Sequence, residues 1–82
     1  MDEREELKHE LEQELRWVQY RIMILDLIDE KLLQMKLLAE KAKNDNLTKE
    51  ELKALNTRIN DLAMQVKALD GESRRIEDNK IL

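Results

Sequence analysis

The sequence has no cysteine, no proline, no phenylalanine and one glycine, and its only aromatic residues are Trp17 and Tyr20. The lack of cysteine excludes a disulfide framework and any thiolate metal site. No apolar run approaches the roughly 18 residues that a membrane-spanning helix requires, so we expect no membrane partner. With 41% charged residues and almost no helix breakers, the composition is typical of long helices or a coiled coil.

Length and charge restrict the class of protein further. A chain of 82 residues predicts a single domain, spanning residues 1–82. The formal net charge of −4 argues against a nucleic-acid partner, since such a partner needs its phosphates neutralised. Residues 1–15 are acidic, unlike the basic start of a signal peptide, and we therefore expect a cytoplasmic protein.

The region from Asp2 to about Lys43 contains no helix breaker and predicts one long helix, over about residues 2–43. Its acidic first turn favours this start, because the helix macrodipole attracts negative charge there. Taking Leu25 as heptad position a gives apolar spacings that alternate between three and four residues, the pattern of a helix with a packing seam. The predicted seam residues are Val18, Leu25, Ile28, Leu32, Met35, Ala39 and Ala42.

The same helix has further large apolar residues outside this seam. They fall on the side where a surface helix normally carries charge, and they are Tyr20, Met23, Leu27, Leu33 and Leu37. A helix that is apolar on two sides is expected to have neighbours on two sides.

The strongest local signal is the turn at residues 44–47, where Asn44, Asp45 and Asn46 interrupt the apolar period. Thr48 followed by Glu51 fits a capping box and predicts a second helix over about residues 48–70. That helix has a single apolar face with alternating spacings of three and four residues. Its seam residues are Leu52, Leu55, Ile59, Leu62, Val66 and Leu69.

Gly71 leaves the end of the second helix open. It is either the residue that terminates the helix, or a glycine tolerated inside it at a cost of about 1 kcal/mol. Ile76 keeps the seam seven residues beyond Leu69, which favours continuation to about residue 79.

The two seams predict an all-α, antiparallel two-helix hairpin resembling a coiled coil. Facing residues in such a hairpin have numbers that add to a constant. Pairs such as Leu62 with Leu32 and Val66 with Ile28 add to 94, and the midpoint, residue 47, falls in the predicted turn.

A two-helix hairpin has a thin core, and a chain of this size rarely gains more than about 3–5 kcal/mol from one core. The second apolar side of the first helix could meet its copy in another chain. We therefore expect a homo-oligomer, a dimer forming a four-helix bundle, with interface residues Tyr20, Met23, Leu27, Leu33 and Leu37. The sequence leaves open whether the two subunits run parallel or antiparallel.

No group of residues forms a catalytic pattern. Asp26, Asp29 and Glu30 cluster in the apolar region, but no His, Ser or Lys converges with them to perform acid–base chemistry. We expect no catalytic residue, no metal and no cofactor. The leading hypothesis is a non-enzymatic protein–protein interaction module: a homo-oligomeric adaptor, a regulator or a small subunit of an assembly.

The residues LTKEELKALNTRINDL, from Leu47 to Leu62, are similar to the small helical-hairpin phosphatases that act on sporulation response regulators. That family carries the motif Ser-Gln-Glu-Leu-Asp. The matching residues, Asn56 to Asn60, keep the apolar position and have an amide in place of the Asp. The resemblance implies an alternative function, a regulator that promotes dephosphorylation of a signalling protein through an amide such as Asn60 or Gln65.

The N-terminal segment, residues 2–15, extends beyond the predicted pairing of the two helices. Leu7 and Leu11 are spaced four residues apart on this acidic segment. Such a pair suits docking into an apolar groove of another protein. The alternatives are fraying in solution and pairing with a second copy of the same segment.

Overall fold

The computed structural model describes the backbone of residues 2–81 and the side chains of residues 2–76; Met1 and Leu82 lie outside the described residues. The chain has two helices, α1 (Glu3–Asn44) and α2 (Lys49–Ile81). They pack against each other as an antiparallel hairpin, which confirms the predicted all-α hairpin. The connection, residues 45–48, begins and ends one residue later than the predicted turn.

Both ends of α1 have partners for their backbone groups. The Asp2 carboxylate caps the start of the helix by accepting a hydrogen bond from the Glu5 amide, 2.8 Å away. At the other end, the Asp45 amide donates to the Lys41 carbonyl at 3.0 Å. Acidic residues in the first turn and lysines in the last turn also match the helix macrodipole.

The start of α2 is fixed by Thr48. Its hydroxyl accepts a hydrogen bond from the Glu51 amide at 3.1 Å and donates one to the Glu51 carboxylate, also at 3.1 Å. The cap residues are those that the sequence predicts, although the Glu51 carboxylate accepts from the Thr48 hydroxyl and not from the Thr48 amide, which is its partner in the usual capping box. The helix begins at Lys49 because the capping residue itself lies outside it.

Gly71 lies inside α2, which continues to Ile81. The glycine does not adopt a positive φ, so it does not terminate the helix in the way a C-terminal glycine does. A Cβ atom added there would meet nothing within 4 Å. Gly71 is therefore a glycine inside the helix and not the residue that terminates it.

α1 meets α2 through one face, here called the hairpin face, whose residues are three or four positions apart in the chain. Ile24 is buried and the rest are half-buried: Trp17, Arg21, Ile28, Lys31, Met35, Leu38 and Ala42. The matching face of α2 consists of Leu55, Ile59, Leu62, Val66, Leu69, Ser73 and Ile76, which are buried or half-buried.

This face differs from the predicted seam by a rotation of α1. Ile28, Met35 and Ala42 lie on it as expected, but four predicted seam residues of α1 are exposed: Val18, Leu25, Leu32 and Ala39. The residues that α2 covers instead come one position earlier in the chain. On α2 the predicted seam matches the observed face except at Leu52, which is exposed.

Two charged residues explain the rotation. Arg21 and Lys31 lie on the hairpin face, where their long apolar stems pack while their charged ends reach polar groups of α2. The Lys31 ammonium donates to the Gln65 side-chain oxygen at 2.6 Å. The Arg21 guanidinium donates to the Ser73 hydroxyl at 3.1 Å, and Ser73 is itself buried. The sequence pattern favoured a fully apolar seam and therefore passed over both.

The lengthwise register of the hairpin is close to the predicted one. The numbers of Arg21 and Ser73 add to 94, the predicted constant, and those of Lys31 and Gln65 add to 96. The position of α2 along α1 thus agrees with the sequence pattern within two residues, while the rotation of α1 about its own axis does not.

The hairpin is long and thin. Its extents are 68 × 16 × 13 Å. Its radius of gyration is 19.5 Å, where a globular domain of this length has about 12 Å. Among the described side chains, only three apolar ones are buried, Ile24, Leu62 and Ile76. Most of the large apolar side chains of α1 therefore remain in contact with water.

Candidate interaction surface

The exposed apolar surface of the hairpin belongs almost entirely to α1. Among the described residues, fourteen large apolar side chains are exposed, and only Leu52 and Met64 of these lie on α2. The other twelve lie on α1, outside the hairpin face and mostly on the two sides of the helix that flank it. Large exposed apolar patches on a small protein mark interaction sites.

The first of these sides, here called the leucine stripe, is a long row that is continuous from Leu7 to Leu25 and resumes at Leu32. It consists of Leu7, Leu11, Leu15, Val18, Ile22, Leu25 and Leu32, with exposed fractions between 37% and 57%. Val18 directly follows Trp17, and Leu25 directly follows Ile24, both of the hairpin face. One residue corresponds to about 100° around a helix, so the stripe faces sideways from the hairpin.

The second side, here called the Tyr20 patch, contains the predicted oligomer interface. Its residues, all exposed, are Tyr20, Met23, Leu27, Leu33 and Leu37. Tyr20 directly precedes Arg21, and Met23 directly precedes Ile24. Leu27 and Leu37 also precede hairpin-face residues, so these four side chains face sideways on the flank opposite to the leucine stripe. Leu33 lies two positions from a hairpin-face residue on either side and faces away from α2.

The N-terminal part of α1 is the least covered part of the molecule. All residues from 2 to 16 are exposed. Leu7 and Leu11, the predicted docking pair, line a shallow open depression with Leu15, bordered by Arg4, Lys8 and Glu12. The half-burial of side chains begins at Trp17. This segment thus extends the leucine stripe past the region where α2 covers α1.

The exposed charges near the end of α2 pair within that helix. Arg74 forms an ion pair with Asp70 at 3.0 Å, and Arg75 one with Glu72 at 2.6 Å. The hydrogen bond that Arg75 donates to the Glu72 carboxylate raises the pKa of Arg75, which is charged at every accessible pH in any case. Because solvent screens their charges, exposed ion pairs of this kind contribute little to stability.

The residues that could support an alternative function are not brought together. Gln65 is half-buried and engaged with Lys31, whereas Asn60 is exposed on the outer side of α2 beside Asn56 and Thr57. The carboxylates of Asp26, Asp29 and Glu30 are exposed on α1. Within residues 2–76, no group of three or more His, Asp or Glu side chains is arranged to hold a metal ion.

Within the described part of the chain, neither helix has a stretch of sufficient length and hydropathy to cross a membrane. No protein-family model matches the chain, and no curated protein and no solved structure is significantly similar to it.

Proposed function

We propose that this protein is a non-enzymatic protein–protein interaction module that works by self-association. Two hairpins pack through α1 into a four-helix bundle, with α1 inside and α2 outside. The observation that supports this proposal is the concentration of exposed large apolar side chains on α1. In the cell such a bundle serves as an adaptor, a regulator or a small subunit of a larger assembly.

The surface area of the single hairpin supports self-association. The chain exposes 6991 Å². A folded monomer of 9.8 kDa exposes about 5,200 Å² by the usual scaling with mass. The difference, about 1,800 Å², is larger than the ~800 Å² per partner that a standard stable interface buries. A bundle of two hairpins is thicker than one hairpin, so each chain in it exposes less surface. Its exposed area is then closer to that expected for its mass.

The small number of buried side chains gives the energetic reason. Each fully buried large apolar side chain contributes about 1.5–3 kcal/mol, and the described part of the hairpin buries three. Ordering a residue costs about 1–2 kcal/mol in backbone entropy alone. Burial of the exposed α1 residues in a second copy adds apolar contacts without ordering further segments.

Light scattering coupled to gel filtration tests the proposal by measuring the mass in solution. At tens of micromolar we expect about twice the chain mass of 9.8 kDa. A concentration series followed by circular dichroism should show a melting temperature that rises with protein concentration. A chain that stays monomeric at tens of micromolar and still unfolds cooperatively would refute self-association.

A further inference from the structure

We infer that the second copy packs on the leucine stripe of α1, in antiparallel orientation, and that the Tyr20 patch is not the dimer contact. This inference rests on the proposed self-association and specifies which face carries it. It reassigns Val18, Leu25 and Leu32, which the sequence pattern placed between the two helices of one hairpin. The structure leaves all three exposed.

The direction of the leucine stripe suits a second helical neighbour. In a four-helix bundle, each helix contacts two adjacent helices that lie at about a right angle to each other around its axis. The stripe lies about 100° from the hairpin face, because Val18 and Leu25 each follow a hairpin-face residue by one position. A helix on the stripe therefore completes the second side of such a bundle.

The length of the row distinguishes the leucine stripe from the Tyr20 patch, most of which lies at a similar angle from the hairpin face but on the opposite flank of α1. The stripe runs from Leu7 to Leu25 at spacings of three or four residues without interruption, about 27 Å at 1.5 Å per residue. It resumes at Leu32. The patch has such spacing from Tyr20 to Leu27, about 10 Å, and again only from Leu33 to Leu37, about 6 Å, with Glu30 between the two runs. Sustained spacing is what a helix-to-helix seam requires.

The occupant that fits the stripe is another copy of itself. A twofold contact places the same surface on both subunits, so that the surface must be complementary to itself. With the two α1 helices antiparallel and centred near residue 20, Leu15 lies opposite Leu25 and Val18 lies opposite Ile22. The part of the stripe from Leu15 to Leu25 then pairs with the same part of the other copy. The surplus exposed area of each hairpin exceeds what a standard dimer contact buries.

Charge favours the antiparallel orientation. Residues 2–14 carry seven acidic and two basic side chains, whereas residues 26–38 carry three acidic and two basic ones. Packed helices lie 8–10 Å apart, within about one Debye length at 0.1 M salt, so that charges on facing segments interact. Parallel pairing sets two copies of the strongly acidic segment side by side. Antiparallel pairing sets each one beside the more nearly balanced segment.

Matched double substitutions test which face carries the contact. The stripe variant combines Leu15→Glu with Ile22→Glu, and the patch variant combines Met23→Glu with Leu27→Glu. Both add two carboxylates to exposed positions of the same helix, so that the hairpin itself remains intact, which circular dichroism verifies. Burial of unpaired carboxylates opposes association. By sedimentation equilibrium we expect the dimer dissociation constant to rise at least ~100-fold in the stripe variant and less than ~5-fold in the patch variant.

The outcomes separate this inference from the proposed function. If the unsubstituted protein is a monomer, self-association itself is wrong. If it is a dimer and the patch variant dissociates as strongly as, or more strongly than, the stripe variant, self-association stands and the leucine stripe is the wrong face.

A spin label at a single cysteine tests the orientation, and the lack of native cysteine makes this label unique. With Glu12→Cys, antiparallel pairing centred near residue 20 sets each labelled position level with residue 28 of the other copy. The two labels are then about 24 Å apart along the axis at 1.5 Å per residue. Parallel in-register pairing brings them to about the interaxial distance of 8–10 Å plus the label arms. Electron–electron dipolar spectroscopy should give the longer distance, and the shorter one would overturn the antiparallel arrangement.

Discussion

α2 has one apolar face and α1 has three, and this difference determines the roles of the two helices. The apolar side chains of α2 point at α1, and only Leu52 and Met64 among its described large apolar residues are exposed. α1 is covered by α2 on its hairpin face and stays apolar on both flanks. α2 thus has the pattern of an outer helix of a bundle, while α1 has the pattern of an inner helix, as the proposed self-association requires.

The N-terminal part of α1 makes the contrast sharper. Residues 2–16 are all exposed, although the helix that they begin is capped by Asp2. Packing, and not intrinsic propensity, supplies most of the stability of helices in proteins. Under the proposed self-association, a second copy would supply the packing that α2 does not give this segment.

The largest effect is expected at the centre of the α2 face. Leu62 is fully buried, so Leu62→Ala should lower the free energy of unfolding by about 2–5 kcal/mol. Met64→Ala, on the same helix at 71% exposure, should change it by less than about 0.5 kcal/mol. Urea unfolding followed by circular dichroism measures both. Equal losses in the two variants would contradict the one-sidedness of α2.

The two faces of α1 can be compared with one pair of isoleucines. Ile24 is 2% exposed and Ile22 is 52% exposed. In solution dilute enough for the hairpin to be monomeric, Ile24→Ala should lower the free energy of unfolding by about 2–3 kcal/mol. Ile22→Ala should lower it by less than about 1 kcal/mol. At higher protein concentration the loss in Ile22→Ala should grow, because the stripe becomes buried. If the two variants are equally destabilised in dilute solution, the rotation of α1 described above is wrong.

The start of α2 gives a smaller effect with a matched control. Thr48→Ala removes the cap on the Glu51 amide and should cost about 1 kcal/mol. Thr57 bonds the Lys53 carbonyl one turn earlier in the middle of the same helix, at 3.0 Å. Thr57→Ala should therefore be neutral or stabilising by up to about 0.7 kcal/mol. Thermal unfolding of the two variants separates the contribution of the cap to stability from that of helix propensity. A Thr48→Ala variant with unchanged stability would show that the cap does not determine where α2 begins.

The smallest effect is a gain of stability at Gly71. Gly71→Ala should raise the free energy of unfolding by about 0.5–1 kcal/mol, because alanine loses less backbone entropy in a helix and its Cβ meets no neighbour. Differential scanning calorimetry would register this as a higher melting temperature. A lower one would indicate that α2 bends or ends near residue 71 in solution.

The predictions that the structure matches depend on local interactions. Helix caps, turn residues and the absence of breakers act within about four residues, and they identify Thr48, the turn and the extents of both helices within a few positions. The lengthwise register also follows from the sequence, since the connection between the helices is short and the apolar periods on both sides of it repeat. For α2 the apolar face follows as well, because that helix has only one.

Local sequence features could not predict how α1 is rotated about its own axis relative to α2. Three sides of the helix carry apolar residues at helical spacing, so the pattern permits several faces to meet α2. The face that does so contains Arg21 and Lys31, which a rule based on apolar residues rejects. Their partners, Ser73 and Gln65, lie 52 and 34 residues away in the chain.

The sequence by itself determined two capped helices and a turn, because those features are local. Only the tertiary structure decided which side of α1 is covered, because that choice depends on contacts between residues distant in the chain, and it is this choice that leaves the leucine stripe exposed.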